Sequence, residues 1–195
     1  YYTMNAKIYP RKNDSHTVYL NTVVKNPNIT IGDYTIYNDF VNDPSLFEKN
    51  NVLYHYPINN DRLVIGKFCS IACGAKFIFN SANHTLKALS TYTFPLFYDE
   101  WGLAADKLTA AWDNKGDIIV GNDERIGDGA LSRSEVRLCD VALIAAGADV
   151  TKAVPPYSIA GGVPATEIGM RSDTETLPQM PSVPCAVCAT ETAKE

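Results

Sequence analysis

Histidine occurs at three positions, 16, 55 and 84, and His84 stands where a regular pattern ends. The stretch 68–84, FCSIACGAKFIFNSANH, belongs to a run with a six-residue rhythm: Ile65-Gly66, Ile71-Ala72, Phe77-Ile78. The rhythm stops at Asn80-Ser81-Ala82-Asn83-His84. Imidazole has an unperturbed pKa of about 6.5, so a histidine at such a break could take up or give a proton at working pH. Without further context the same residue fits a surface or hydrogen-bonded structural role. His16 lies in a polar N-terminal region and reads as solvated. His55 sits between Tyr54 and Tyr56 and reads as a structural hydrogen-bonding group. The two tyrosines share one face of an extended segment, where either could line a pocket or pack. Three scattered histidines do not make a catalytic zinc site. Cys185-x-x-Cys188 is half of a structural one, which wants four ligands, so no metal is expected.

A period of six is neither the 3.6 of a helix nor the 2 of a strand. It fits a short strand followed by a sharp corner, with three strands closing one triangular turn. The first unit lies within ITIGDYTIY (29–37), starting at Ile31. The stretch from Tyr37 to Asn60, with Pro44, Asn50-Asn51 and Pro57, reads as a loop. The interval from Asn80 to Asp117 interrupts the rhythm again. The phase then runs through Val120, Ile126, Ser132, Leu138, Ile144 and Val150. A second inward column follows at Glu124, Ala130, Val136, Ala142, Ala148 and Val154. In such a coil the aliphatic residue points inward and stacks on its equivalent one turn away. The small residue avoids overfilling a narrow interior. Gly32, Gly66, Gly121 and Gly127 suit corners that need an unusual backbone conformation. No turn can bury its own face, so neighbours must do it. Strands of a sandwich would recur every ~8–12 residues and would not hold this phase. Glu124 and Ser132 fall on inward positions, where an unpaired carboxylate is strongly disfavoured. Either the coil is distorted there or these side chains find partners.

The chain has 195 residues, enough for one domain with a core. The expected domain is 1–170, with a loop excursion at about 85–115 that carries Trp101 and Trp112. The tail, 171–195, holds three prolines and no amphipathic period, and is expected to be poorly ordered or extended. Net charge is −5 with scattered basic residues, against a nucleic-acid partner. No apolar run approaches the roughly 20 residues of a membrane span. YYTMNAKIYPRKND lacks the layout of a secretory signal, so a cytoplasmic location is expected.

Six blocks carry a resemblance: NPNITIGDYTIY (26–37), VLYHYPINNDRLVIGKFCSI (52–71), NSANH (80–84), STYTFPLF (90–97), KGDIIVGND (115–123) and PPYSIAGGVPA (155–165). With the hexads they make the chain similar to the xenobiotic acetyltransferases among the hexapeptide-repeat acyltransferases, and within them to the streptogramin A acetyltransferases. The resemblance implies an all-β, left-handed parallel β-helix that forms homotrimers, with active sites in clefts between subunits. It implies transfer of an acetyl group from acetyl-CoA to an antibiotic hydroxyl, with His84 as general base. Tyr56, with Tyr54 beside it, would line the drug pocket. Ile36 stands where members of this branch often carry a second pocket tyrosine. Asn83 would border the substrate, and Asn83 or Asn80 could help to orient the imidazole. Gly161, Gly162, Val163, Pro164 and Ala165 match the segment that lies along CoA. The loop would take Trp101 and Trp112 towards a neighbouring subunit. No acetyl-enzyme is needed, so Cys69 is expected to pack rather than attack. Glu124-Arg125 replaces the Val-Trp usual in the family, which puts a cation beside the expected cleft. The same chemistry on chloramphenicol, a sugar or another small hydroxyl compound is an alternative, as is a non-catalytic β-helical scaffold.

Overall fold

Three strands to a turn and four turns deep, the chain winds as a left-handed parallel β-helix. The computed structural model describes residues 7–171. The chain enters through β1 (Thr17–Tyr19) and a single helical turn, α1 (Leu20–Val23), where the sequence shows only weak strand signals. Turn one is β2 (Ile29–Ile31), β3 (Ile36–Asn38) and β4 (Val52–Leu53). Turn two is β5 (Leu63–Ile65), β6 (Ser70–Ile71) and β7 (Lys76–Ile78). Turn three is β8 (Ile118–Val120), β9 (Arg125–Ile126) and β10 (Leu131–Arg133). Turn four is β11 (Arg137–Leu138), β12 (Leu143–Ile144) and β13 (Asp149–Val150). Each wall of the prism takes one strand from every turn, β2-β5-β8-β11 on one side and β4-β7-β10-β13 on another. The third wall, β3-β6-β9-β12, is extended by β14 (Ser158–Gly162) and closed at its ends by antiparallel β1 and β15 (Ala165–Met170).

The ladders keep the hexad columns in register: Ile65 lies on Val120, Ile71 on Ile126 and Phe77 on Ser132. From Ile65 onward every residue of those columns is buried, each apolar one contributing on the order of 1.5–3 kcal/mol relative to exposure, while Ile31 in the first turn is partly buried. Glu124 and Ser132 are inward too, each 1% exposed. The coil is not distorted there, since Arg125 still pairs with both Ser70 and Leu143, and Ser132 with both Phe77 and Val150. Ser132 sits beside Phe77, so a small side chain offsets a large one where the cross-section is fixed.

Two sequence expectations need correction. The corner glycines are not there for their backbone angles. A Cβ on Gly66 would lie 2.3 Å from the Gly121 oxygen, and one on Gly32 would lie 2.5 Å from the Gly66 carbonyl carbon. Close approach of stacked turns excludes the side chain. The left-handed conformation falls two residues later, on Tyr34, Phe68 and Asp123, with φ of 63°, 61° and 55°. Nor is 37–60 simply a loop. It holds a 3-10 turn (Pro44–Leu46), α2 (Phe47–Asn51) and β4, whose Val52 rejoins the column against Phe77. Asp43 caps this excursion by accepting from the Ser45 N–H at 2.9 Å, with Pro44 at the first helical position.

Candidate active site

Between β7 and β8 the chain leaves the prism. The departure is fixed by Asn80, which is fully buried. Its amide donates to Asp61 Oδ2 at 2.7 Å and to the Gly116 carbonyl at 3.0 Å, and its Oδ1 accepts from the Lys115 N–H at 2.8 Å. One side chain thereby ties the outgoing and returning ends of the loop together. A 3-10 turn, Asn80–Ala82, follows, and His84 comes next to the neck. There His84 forms an antiparallel bridge with Trp112, and the Asp113 N–H donates to the Asn83 carbonyl at 2.8 Å. A rigid wall thus carries the imidazole while its ring stays exposed.

Two cavities meet at that ring. The larger, about 490 Å³, is lined by Tyr54, Tyr56, Ile58, Leu96 and Trp112 as well as His84. The smaller, about 240 Å³, has Thr85, Leu86 and Tyr92 in its walls, again with His84. The apolar lining of the larger suits a largely hydrophobic molecule with one polar group near the imidazole. Tyr54 reaches this wall from a left-handed backbone conformation, φ 59°. Beneath it lies a buried support: His55 Nε2 is 2.8 Å from the Asp61 carbonyl oxygen, and its ring centre is 4.3 Å from that of Phe79. His55 is structural, as its sequence context suggests.

Other candidates lie elsewhere in the chain. Ile36 faces a separate groove on the β3-β6-β9 wall, shared with Asn38, Ser70 and Arg125. Arg125 therefore does not stand beside the His84 of its own chain. Gly161 to Ala165 span the end of β14, the Val163–Pro164 turn with its cis bond, and the start of β15, with Val163 74% exposed. None of these five residues lines the cavity that holds His84. Asn83 donates its amide to Ser134 Oγ at 2.6 Å, and the Asn80 side chain makes the bonds described above. Trp112 does not extend away from the chain either. It is 8% exposed, and its indole N–H donates to Asn59 Oδ1 at 2.8 Å. Trp101 is half-exposed in an aromatic cluster of the loop, 5.0 Å from Phe94 edge to face. Cys69 donates to the Gly121 carbonyl at 3.1 Å, and burial pushes its thiol up to about 12, which suits packing and not attack. Asn59 had no sequence signal beyond that of a turn residue.

Among the described residues, no group of three or more His, Cys, Asp or Glu could hold a metal ion, and no helix is long and apolar enough to cross a membrane. Cys185, Cys188 and the tail from 172 onward lie outside the described residues.

No family model matches the chain. Among curated proteins it is 41% identical over 142 residues to the probable macrolide acetyltransferase of Lysinibacillus sphaericus, covering 71% of this chain and 76% of that one. It is 36% identical over 158 residues to the chloramphenicol acetyltransferase of Morganella morganii, covering 81% and 75%. With the virginiamycin A acetyltransferase of Staphylococcus aureus the identity is 42% over 157 residues, covering 80% and 69%. Among solved structures, a hexapeptide-repeat-containing acetyltransferase of Vibrio cholerae O1 biovar eltor, complexed with acetyl coenzyme A, superimposes with a TM-score of 0.52 at 21% identity. A maltose O-acetyltransferase of Clostridium difficile 630 gives 0.51 at 18%. Each match takes in 75% of this chain but 62% and 61% of the solved chains, so these two establish the shared fold alone.

Proposed function

The chain belongs to the xenobiotic acetyltransferase family of hexapeptide-repeat acyltransferases, and from that premise we propose that it acetylates a hydroxyl of a streptogramin A antibiotic, with acetyl-CoA as donor and His84 as general base. The observation that carries this reading is the placement of His84 on the common wall of an apolar cavity and a smaller one, at the rigid neck of the loop. The imidazole accepts the hydroxyl proton as the oxygen attacks the thioester carbonyl. The new C–O bond forms, the C–S bond breaks, and the proton passes to the departing CoA thiolate. The exposed ring is free to meet substrate on one nitrogen. Tyr54 and Tyr56 hold the drug's apolar body, and the Gly161–Ala165 turn lies along CoA.

The working form is a homotrimer with each site shared between subunits. In support, Ile36 and the Gly161–Ala165 turn lie away from the His84 cavity of their own chain, where a neighbour's site could use them. Action in the cytoplasm, beside the acetyl-CoA pool, belongs to the same proposal. The assay mixes protein, acetyl-CoA and a streptogramin A compound and follows free thiol release. Turnover is expected to fall by about 10²–10⁴-fold in His84→Ala, the range that general base catalysis contributes. Undiminished turnover in that variant would end the general-base assignment. Chloramphenicol and a macrolide in the same assay decide the acceptor, since relatives bearing those names match this chain about as well.

A further inference from the structure

We propose that Asn59 is a positioning residue for His84: one side-chain amide clamps the two segments that flank the imidazole. The proposal rests on the reading of His84 as the base. Asn59 ends the 3-10 turn Pro57–Asn59, which follows directly on the cavity residue Tyr56, and its own N–H donates to the Tyr56 carbonyl at 3.1 Å. Its Oδ1 accepts from Trp112 Nε1 at 2.8 Å, and its Nδ2 donates to Ser81 Oγ at 2.8 Å. Its backbone carbonyl accepts from Asn114 Nδ2 at 3.3 Å. Ser81 lies in the turn that leads into His84, and Trp112 is the bridge partner of His84. The amide thus fixes the chain before the histidine and the chain opposite it, and ties both to the tyrosine-bearing wall of the cavity. The sequence separations are 22 and 53 residues, so no local turn preference could hold these pieces together. The side chains of Asn80 and Asn83 bond elsewhere, and of these three asparagines Asn59 is the one whose side chain reaches both Ser81 and Trp112.

A displacement of the base by about 1 Å can cost on the order of 10²-fold in rate. Asn59→Ala is expected to lower kcat by about 10- to 100-fold at a temperature where the protein is folded. KM for acetyl-CoA should stay near that of the parent, and the pH profile should keep its limbs and lose height. Trp112→Phe keeps an aromatic ring in the wall but removes the N–H together with the five-membered ring, so it should show at least the same loss and serves if Asn59→Ala does not fold. In the double variant the losses should combine to less than their product, because both break the same Asn59–Trp112 bond. Asn59→Asp can accept from Trp112 Nε1 and from a rotated Ser81 hydroxyl. It should restore most of the plateau and move the acidic limb upward, since a nearby negative charge favours the imidazolium. A kcat within twofold of the parent in Asn59→Ala, or losses that multiply in the double variant, would overturn the clamp. His84→Ala run alongside separates the two ideas. Turnover surviving there removes the base assignment and the clamp with it, whereas loss there with normal Asn59→Ala removes the clamp alone.

Discussion

Replacing Asn80 tests how the loop bearing His84 is rooted. The side chain is fully buried and makes three hydrogen bonds, to Asp61 Oδ2 at 2.7 Å, the Gly116 carbonyl at 3.0 Å and the Lys115 N–H at 2.8 Å. Asn80→Ala deletes all three. At about 1 kcal/mol for each of the two neutral bonds and about 2 for the one to a carboxyl group, the loss is about 4 kcal/mol. Solvent screening takes little off that figure, since Asp61 is 2% exposed. For a domain of this size 1 kcal/mol moves Tm by about 2–4 °C, so a fall of about 8–16 °C is expected. Urea unfolding, with m unchanged, measures the same quantity. Asn80→Asp sharpens the test. It retains the acceptor for Lys115 but sets an oxygen against Asp61 Oδ2, where the wild-type contact is 2.7 Å. Two carboxyl groups that close cannot both ionise, so the folded variant holds a proton that the unfolded chain releases. Its stability is therefore best below the ordinary carboxylate pKa of about 4 and declines as pH rises through and above that value. Asn80→Ala should show no such trend relative to the parent. A loss under about 0.5 kcal/mol for Asn80→Ala, within the range of neutral surface changes, or no pH trend for Asn80→Asp, would refute the reasoning.

Two further outcomes follow from the coil itself. Burial alone would raise the Asp39 carboxyl, but donors from Tyr37 Oη at 2.6 Å, Asn42 N at 2.9 Å, Val41 N at 2.8 Å and Cys73 Sγ at 3.2 Å outweigh it and hold the group well below the usual range. A depressed folded value means the stabilisation is full above the ordinary pKa of about 4 and is lost as pH falls through the folded one. Asp39→Asn should thus cost about 2 kcal/mol at pH 7 and progressively less in more acidic buffer, read from urea midpoints across a pH series. Gly66→Ala drives a Cβ to 2.3 Å from the Gly121 oxygen, in backbone pinned by the Gly66 N–H to Val120 carbonyl bond at 2.9 Å. It should cost about 3 kcal/mol or more, whereas Gly147→Ala, with φ +67° and nothing within 4 Å, costs only about 1–2. The reverse order in denaturant unfolding would contradict the close-approach account.

The sequence by itself determined the coil. A hexad is a local repeat, and the inward residues Ile65, Ile71, Val120 and Ile126 can be counted off without knowing what they touch. It also marked His84 as the place where that repeat yields to a loop. The fate of polar and aromatic groups was decided only by tertiary structure. Glu124 could be placed inside, but whether the coil would keep its register beside it was decided by the ladders from Arg125 to Ser70 and Leu143. The corner glycines were legible, yet their cause was not, because the clash that excludes a side chain comes from a turn 34 or 55 positions later, as Gly32 on Gly66 and Gly66 on Gly121 show. Trp112 turned inward, with its indole N–H bonded to Asn59, 53 residues away. Ile36 and His84 came to rest at different surfaces of one chain. Hydrophobic periodicity is written in neighbours along the chain, whereas a hydrogen bond or a close approach joins residues that only the completed winding brings within a few ångströms.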